Sequence, residues 1–468
     1  MDWQKEVEKR KDQLIEDLRG LLAIRSVLDE STATEDAPFG PEVKKALTYM
    51  LDLGKRDGYE TEEVENVAGH LEMGQGEESV GILCHVDIVP EGEGWSYPPF
   101  EGVIDNERIY ARGAIDDKGP TMAAYYAMNI IKELGFTLNK RVRMIIGTDE
   151  ESEWRCVNTY FKEEEMPTIG FAPDADFPII HAEKGLVDMV VNIPGSEVNN
   201  GELALLSFQS GQRFNMVPDR AKAILSGEER TTHWLQMFRD YLEENKLTGG
   251  VEVENGHIVL TVEGVSAHAM EPENGVNAGL HLANILAKLP LDEGGQKFVG
   301  FLSSSFFGQS RGQGIGFRYS DDITGDLTVN IGTMSYNKES GGKVGVNMRY
   351  PVTFEFLPQF DQWKKEVEAL SYTLSLKTHM TPHHVAKDDP FIQTLSKVYE
   401  EQTGEKAELL TIGGGTYARS LETGVAFGAM FPGRPDVAHQ KDEYMELEDL
   451  WKATAIYAQA IYELAVEK

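Results

Sequence analysis

Two cysteines, Cys84 and Cys156, are all that the 468 residues carry. A pair cannot build the disulfide framework of a small secreted scaffold, and a Cys-rich zinc site is excluded with it. Cations are scarce as well: 44 Lys and Arg stand against 78 Asp and Glu, a net charge of −34. That surplus repels a phosphate backbone and an anionic bilayer, so neither nucleic acid nor a membrane is an expected partner. No apolar run approaches the ~18 residues of a membrane span. Residues 1–22 (MDWQKEVEKRKDQLIEDLRGLL) are charged and helix-patterned, without the apolar core of a signal peptide. A cytoplasmic location is the expectation. The Gly-rich segment TIGGGTYARS (411–420) lacks the Lys-Ser/Thr ending of a phosphate loop and does not fit a dinucleotide fingerprint.

The chain is too long for one ordinary core; at roughly 100–200 residues per domain, two or three are expected. Residues 1–180 alternate helical and buried-strand patterns. Val7, Leu14, Leu18, Leu21 and Leu22 recur at helical spacing, and 43–55 reads as a second amphipathic helix. SVGILCHVDIVP (79–90), RVRMIIGTDEE (141–151) and TIGFAPDADFP (168–178) read as buried strands, and 119–136 as a helix rich in small and apolar residues. That order predicts an α/β fold, a mostly parallel sheet covered by helices. After about residue 185 the rhythm changes. Alternating strands at 221–227 and 257–264 flank helical stretches at 231–244 and 274–289. Strands at 327–337 and 343–351, a helix near 360–370 and a strand near 372–379 follow. This is an α+β pattern with one covered sheet face. From about 385 the first rhythm returns, with helices at 390–403 and 447–466. The expected division is a catalytic domain of 1–184 and 385–468 interrupted by an inserted α+β domain of 185–384.

Chemistry concentrates where buried strands end. His85 and Asp87 follow one strand, and a carboxylate beside an imidazole raises its basicity as a metal ligand. Asp116 and Asp117 stand just before a helix, Glu150 and Glu151 end a second strand, and Asp174 follows a third. Alone, each is an ordinary N-cap or turn residue. Together they carry weight, because strand-to-loop junctions of a parallel sheet gather at one edge. His439 adds a second histidine from the returning segment. Imidazoles and carboxylates without thiolates suit zinc, manganese or cobalt, and there are ligands enough for two ions sharing one carboxylate. Which member of each acid pair is the ligand stays open at this level. Cys84 in its buried strand reads as an inert core thiol.

The segments GILCHVDIVPEGEGW, YARGAIDDKGP, IIGTDEES, FAPDADFP and TIGGGTYAR, in that order, resemble the cocatalytic-zinc peptidases related to aminoacylase, carboxypeptidase G2 and succinyl-diaminopimelate desuccinylase. Within that family the dipeptidases of Gram-positive bacteria are the most similar, over nearly the whole chain. The resemblance implies a zinc-peptidase-like fold whose inserted domain acts as a lid, and two divalent ions per chain, zinc or manganese. His85 and Asp174 would bind one ion, Glu151 and His439 the other, and Asp116 both. Asp87 would orient His85, and Glu150 would be the general base. His268 would serve the oxyanion, while Asn215, Arg349 and the backbone at Gly414 would contact substrate. The length of the inserted domain, set against the single dimerisation module of many relatives, implies a self-sufficient monomer acting on dipeptides with a free N-terminus. Two alternatives use the same residues: an N-acyl amino acid amidohydrolase, and a non-catalytic peptide-binding protein on the same fold.

Overall fold

An apolar run that does not alternate has to be covered on both faces, and the strand Ser79–His85 is buried at every position. It pairs in parallel with Arg141–Gly147 on one side and Ile169–Ala172 on the other. Gly424–Ala426 continues the parallel pairing beyond Ile169–Ala172. Antiparallel strands flank this centre: Ala68–Met73 and then Glu60–Val64 at one side, Ile179–Glu183 at the other. With His383–His384 and Leu409–Ile412 they complete a nine-stranded sheet. The structure, a computed structural model, describes residues 1–196, 198, 200–227 and 232–467.

Helices Pro41–Arg56, Lys118–Glu133, Pro390–Thr403 and Leu447–Ala465 supply the core around this sheet. Lys118–Glu133 is buried along nearly its whole length and packs on Leu447–Ala465. Small side chains at Ala123, Ala124 and Ala127 on one, and Ala453, Ala458 and Ala460 on the other, leave room for that approach. Gly119, in the first turn of the former, is needed for a similar reason: a Cβ there would stand 2.0 Å from the Ala114 carbonyl oxygen. These elements belong to a first unit of Met1–Ala182, His384–Thr411 and Thr416–Lys468.

The second unit, Glu183–His383 with Ile412–Gly415, is built on eight antiparallel strands. Their order is Thr248–Glu254, His257–Glu263, Arg220–Gly227, Leu203–Ser210, Thr328–Asn337, Gly341–Tyr350, Gly185–Ile193 and Thr373–Met380. Gly185–Ile193 alternates buried and half-buried residues at every step, the mark of one covered face. Its Val187, Met189, Val191 and Ile193 enter a core shared with helices Thr232–Glu244, Ala278–Leu286, Glu293–Phe306 and Phe356–Ala369. Thr231, where the 231–244 reading begins, lies outside the described residues. Among the described residues, no helix is long and apolar enough to cross a membrane.

Candidate metal centre and active site

The register of the parallel strands sets His85 opposite Gly147. The loops leaving those strands, and the loop after Ile169–Ala172, therefore open at one sheet edge. There His85 Nε2 lies 3.1 Å from Asp116 Oδ1 and 3.7 Å from Asp174 Oδ2. His439 Nε2 lies 2.9 Å from Asp116 Oδ2 and 3.0 Å from Glu151 Oε1. Two ligand groups result, His85–Asp116–Asp174 and Asp116–Glu151–His439, each with its ligand atoms within 4.8 Å of one another. Asp116 belongs to both, one oxygen toward each imidazole. Atoms bound about 2.0–2.2 Å from an ion stand roughly 3–3.5 Å apart, so the spacing and the donor set fit a pair of divalent ions.

The adjacent acids are told apart by their partners. Asp117 turns inward, where its Oδ2 accepts from the His85 backbone N–H at 3.2 Å and from the Thr121 hydroxyl at 3.0 Å. Asp149 accepts two bonds of 2.8 Å from the Arg155 guanidinium. Asp87 ties two ligands together: its carbonyl oxygen accepts from His85 Nδ1 at 3.1 Å, and its Oδ2 accepts from the Glu151 backbone N–H at 3.1 Å.

Burial opposes the charging of His85, yet Asp116, Asp87 and Asp174 raise its pKa well above the ordinary value. Burial also pushes the Asp116 carboxyl up, but there the His439 and His85 imidazoles prevail and hold it below the usual range. Glu150 and Asp174 are both raised, by burial first and then by neighbouring carboxylates, against the pull of His85. Hydrogen bonds to Asp116 and Glu151 push His439 up to about 10. The carboxylates gathered here outnumber the two imidazoles, and two divalent ions would supply the positive charge that is short.

Three residues of this centre, Tyr417, Arg112 and Glu443, leave almost no mark on the sequence pattern. Tyr417, fully buried, sets its ring edge against His85, with centroids 5.9 Å apart, and Trp154 packs on it at 5.5 Å. Its hydroxyl occupies the space left by Gly147, where a Cβ would lie 1.8 Å from Tyr417 Oη. Arg112 and Glu443 form a buried ion pair beside the Asp116 loop. A lone Arg in the small, apolar run YARGAI is the one hint, since a buried cation needs a partner. The string GQSRG at 308–312 matches a GxSxG pattern, but Ser310 follows a helix and donates to Glu273 Oε1 at 2.6 Å, so it is no nucleophile elbow.

In the second unit, His268 Nδ1 accepts the Met270 backbone N–H at 3.2 Å, which leaves the ring proton on Nε2. Burial, then the charge of Arg349, lowers its pKa. The Ala269 N–H donates to the Asn215 carbonyl at 2.9 Å, and Met216 bridges His268. Arg349 is buried, with Nη1 donating to the Gly413 carbonyl at 2.6 Å and Nε to Asn347 Oδ1 at 3.1 Å. Met270 lies against Gly413, where a Cβ would come within 2.5 Å of Met270 Cγ. His268, Asn215, Arg349 and Gly413 are therefore drawn together within the second unit, with Gly414 next to Gly413 in the chain.

Residues 81–463 match the model of peptidase family M20/M25/M40. YtjP, a candidate dipeptidase of Bacillus subtilis (strain 168), is 52% identical over 467 residues, covering 99% of this chain and 100% of its own. A candidate dipeptidase of Staphylococcus epidermidis is 49% identical with the same coverage. Among solved structures, human carnosine dipeptidase 1 aligns with a TM-score of 0.57 at 14% identity over 98% of both chains. The aminoacylhistidine dipeptidase of Vibrio alginolyticus aligns with a TM-score of 0.59 at 13% identity over 97% of both. Likenesses at such identities concern the fold.

Proposed function

The chain belongs to peptidase family M20/M25/M40, and from that premise we propose that it is a dipeptidase whose chemistry depends on two divalent ions held by ligand groups that share Asp116. The observation that carries the reading is the Asp116 carboxylate itself, shared at 3.1 and 2.9 Å between two imidazoles that each bring a further carboxylate. His85 and Asp174 would hold one ion, Glu151 and His439 the other. When bound, two such ions would supply Lewis acidity for a scissile carbonyl and for an attacking water.

The remaining roles fall to the chain's own groups. Glu150, half-buried among the ligands but in neither ligand group, takes the proton of the attacking water and returns it to the leaving amine. A raised carboxyl pKa suits a group that must hold that proton between two steps. Asp87 keeps His85 and the Glu151 backbone in register. His268, neutral and with its proton on Nε2, is a donor for the oxyanion. Arg349, its fork oriented by Gly413 and Asn347, receives the substrate carboxylate with help from Asn215 and the Gly414 backbone. Zinc and manganese both suit the donors. The acidic surface and the length of the second unit support a cytoplasmic monomer that binds neither nucleic acid nor membrane.

The test is hydrolysis of Ala-Ala beside N-acetyl-alanine by chelator-stripped protein, with zinc or manganese restored. Metal-dependent cleavage of Ala-Ala alone is expected. Cleavage of the acetylated compound alone would move the function to deacylation. Silence on both, with ions bound, would favour a peptide-binding role.

A further inference from the structure

Arg112 and Glu443 are 1% and 0% exposed, and their Nη1 and Oε2 atoms are 2.5 Å apart. An ion pair so far from water is a weak source of stability, because desolvation offsets most of the attraction; fixing one geometry is its better-attested use. Here the geometry being fixed is visible. The second oxygen of Glu443, Oε1, accepts the backbone N–H of Ile115 at 3.1 Å and that of Asp116 at 3.4 Å. One carboxylate therefore grips the peptide links that carry the bridging ligand. Arg112 is itself held: its Nη2 lies 3.4 Å from the carbonyls of Pro90 and Glu91, and its guanidinium lies over the Trp95 ring at 5.3 Å.

Glu443 also sits four residues after His439, so whatever fixes it fixes the loop that carries the second imidazole. The Glu443 carbonyl accepts the Ala111 N–H at 3.1 Å, and Tyr444–Glu446 pairs with Arg108–Tyr110. Asp442 accepts the Ser96 N–H at 2.6 Å. Two segments from opposite ends of the chain are thus joined at several points, with the ion pair at the one nearest Asp116.

We propose that Arg112 and Glu443 are a positioning pair that sets Asp116 and His439 at the separation required by one ion of the two, the ion held by Asp116, Glu151 and His439. This rests on the two-metal reading given under Proposed function. It implies an asymmetry. Two of that ion's three ligands hang on the positioning pair. The other ion shares only Asp116 with it, since His85 and Asp174 are placed by parallel strands. Disturbing the pair therefore loosens one ion before the other.

The experiment is calorimetric titration of the metal-stripped chain with manganese, comparing wild type, Glu443→Gln and Arg112→Lys, with circular dichroism to establish folding. Glu443→Gln keeps the acceptor toward Ile115 and Asp116 but sets an amide against Arg112. Arg112→Lys keeps the charge but cannot fork, and it serves if the glutamine variant does not fold. The expected result is two ions in the wild type. In either variant, one ion stays within threefold of wild-type affinity and the other weakens by about 10–100-fold, the usual effect of losing a group that orients a ligand. At saturating manganese, kcat recovers and KM is unchanged. Two ions bound normally by a variant that is merely less stable would overturn the inference alone, as would equal weakening of both. Fewer than two ions in the wild type would overturn the two-metal reading and this inference with it.

Discussion

Replacing Gly147 by alanine probes how the floor under His85 is built. A Cβ at that position would lie 1.8 Å from Tyr417 Oη, 2.9 Å from Tyr417 Cζ and 3.2 Å from Cys156 Sγ. Non-bonded heavy atoms settle at about 3.5 Å, so the hydroxyl must withdraw by well over an ångström or the strand must move. Tyr417 has nowhere to go: it is fully buried between His85 and Trp154. Overpacking costs ~1–3 kcal/mol, and a clash this short belongs at the upper end. Tyr417→Phe removes the clashing atom and by itself gives up only the contact with Cys156 Sγ at 3.3 Å, worth about 1 kcal/mol or less. The two changes should therefore couple, with the double variant more stable than Gly147→Ala by ~1–2 kcal/mol. Urea unfolding of the metal-free protein, followed by tryptophan fluorescence, reads all four stabilities. A Gly147→Ala protein as stable as wild type, or a double variant no better than the single one, would refute this packing of Tyr417 against Gly147.

Glu150→Gln should lower kcat by about 10²–10⁴-fold while the metal content measured by atomic emission stays unchanged; loss of an ion instead would place Glu150 among the ligands. Arg349→Lys keeps the charge but loses the fork, so KM for a dipeptide should rise about tenfold with kcat little altered, and the opposite split in steady-state kinetics would contradict its role. His70, whose Nδ1 accepts the Tyr160 hydroxyl at 2.9 Å, has its pKa lowered to about 4 by burial first and Arg143 second. A histidine depressed in the fold binds its proton more readily when unfolded. Its stabilisation is therefore complete above pH 6.5 and is lost as pH falls toward 4, by roughly 3 kcal/mol. Urea midpoints of wild type and His70→Gln between pH 7 and 4 should diverge accordingly, and parallel curves would rule this out.

Much of the centre is legible in the chain because buried parallel strands write themselves as unbroken apolar runs, and the ligands stand where those runs stop. His85, the Glu150-Glu151 pair and Asp174 all follow from that pattern. The choice of Asp116 over Asp117 does not, because neighbours in sequence differ only in partners that the fold supplies: Asp117 meets the His85 amide and Thr121. The family resemblance carries that choice, and the hydrogen bonds account for it. Glu60–Val64 (ETEEV) escapes notice because a sheet-edge strand needs no apolar run. Helix Glu293–Phe306 is disguised by Gly294 and Gly295, poor helix formers that are required by packing: a Cβ would come within 2.5 Å of Tyr336 Oη at one and 2.7 Å of Leu205 Cβ at the other. Tyr417 and the Arg112–Glu443 pair are set by contacts distant in sequence, which leave no local period to read.

Whether one carboxylate bridges two ions is settled most directly by diffraction from crystals grown with zinc, recorded on either side of the zinc absorption edge. Two anomalous peaks per chain are expected, about 3.5–4 Å apart. One should lie beside His85 and Asp174, the other beside Glu151 and His439, each within bonding distance of one oxygen of Asp116. A single peak, or two peaks that do not share Asp116, would contradict a bridged metal centre.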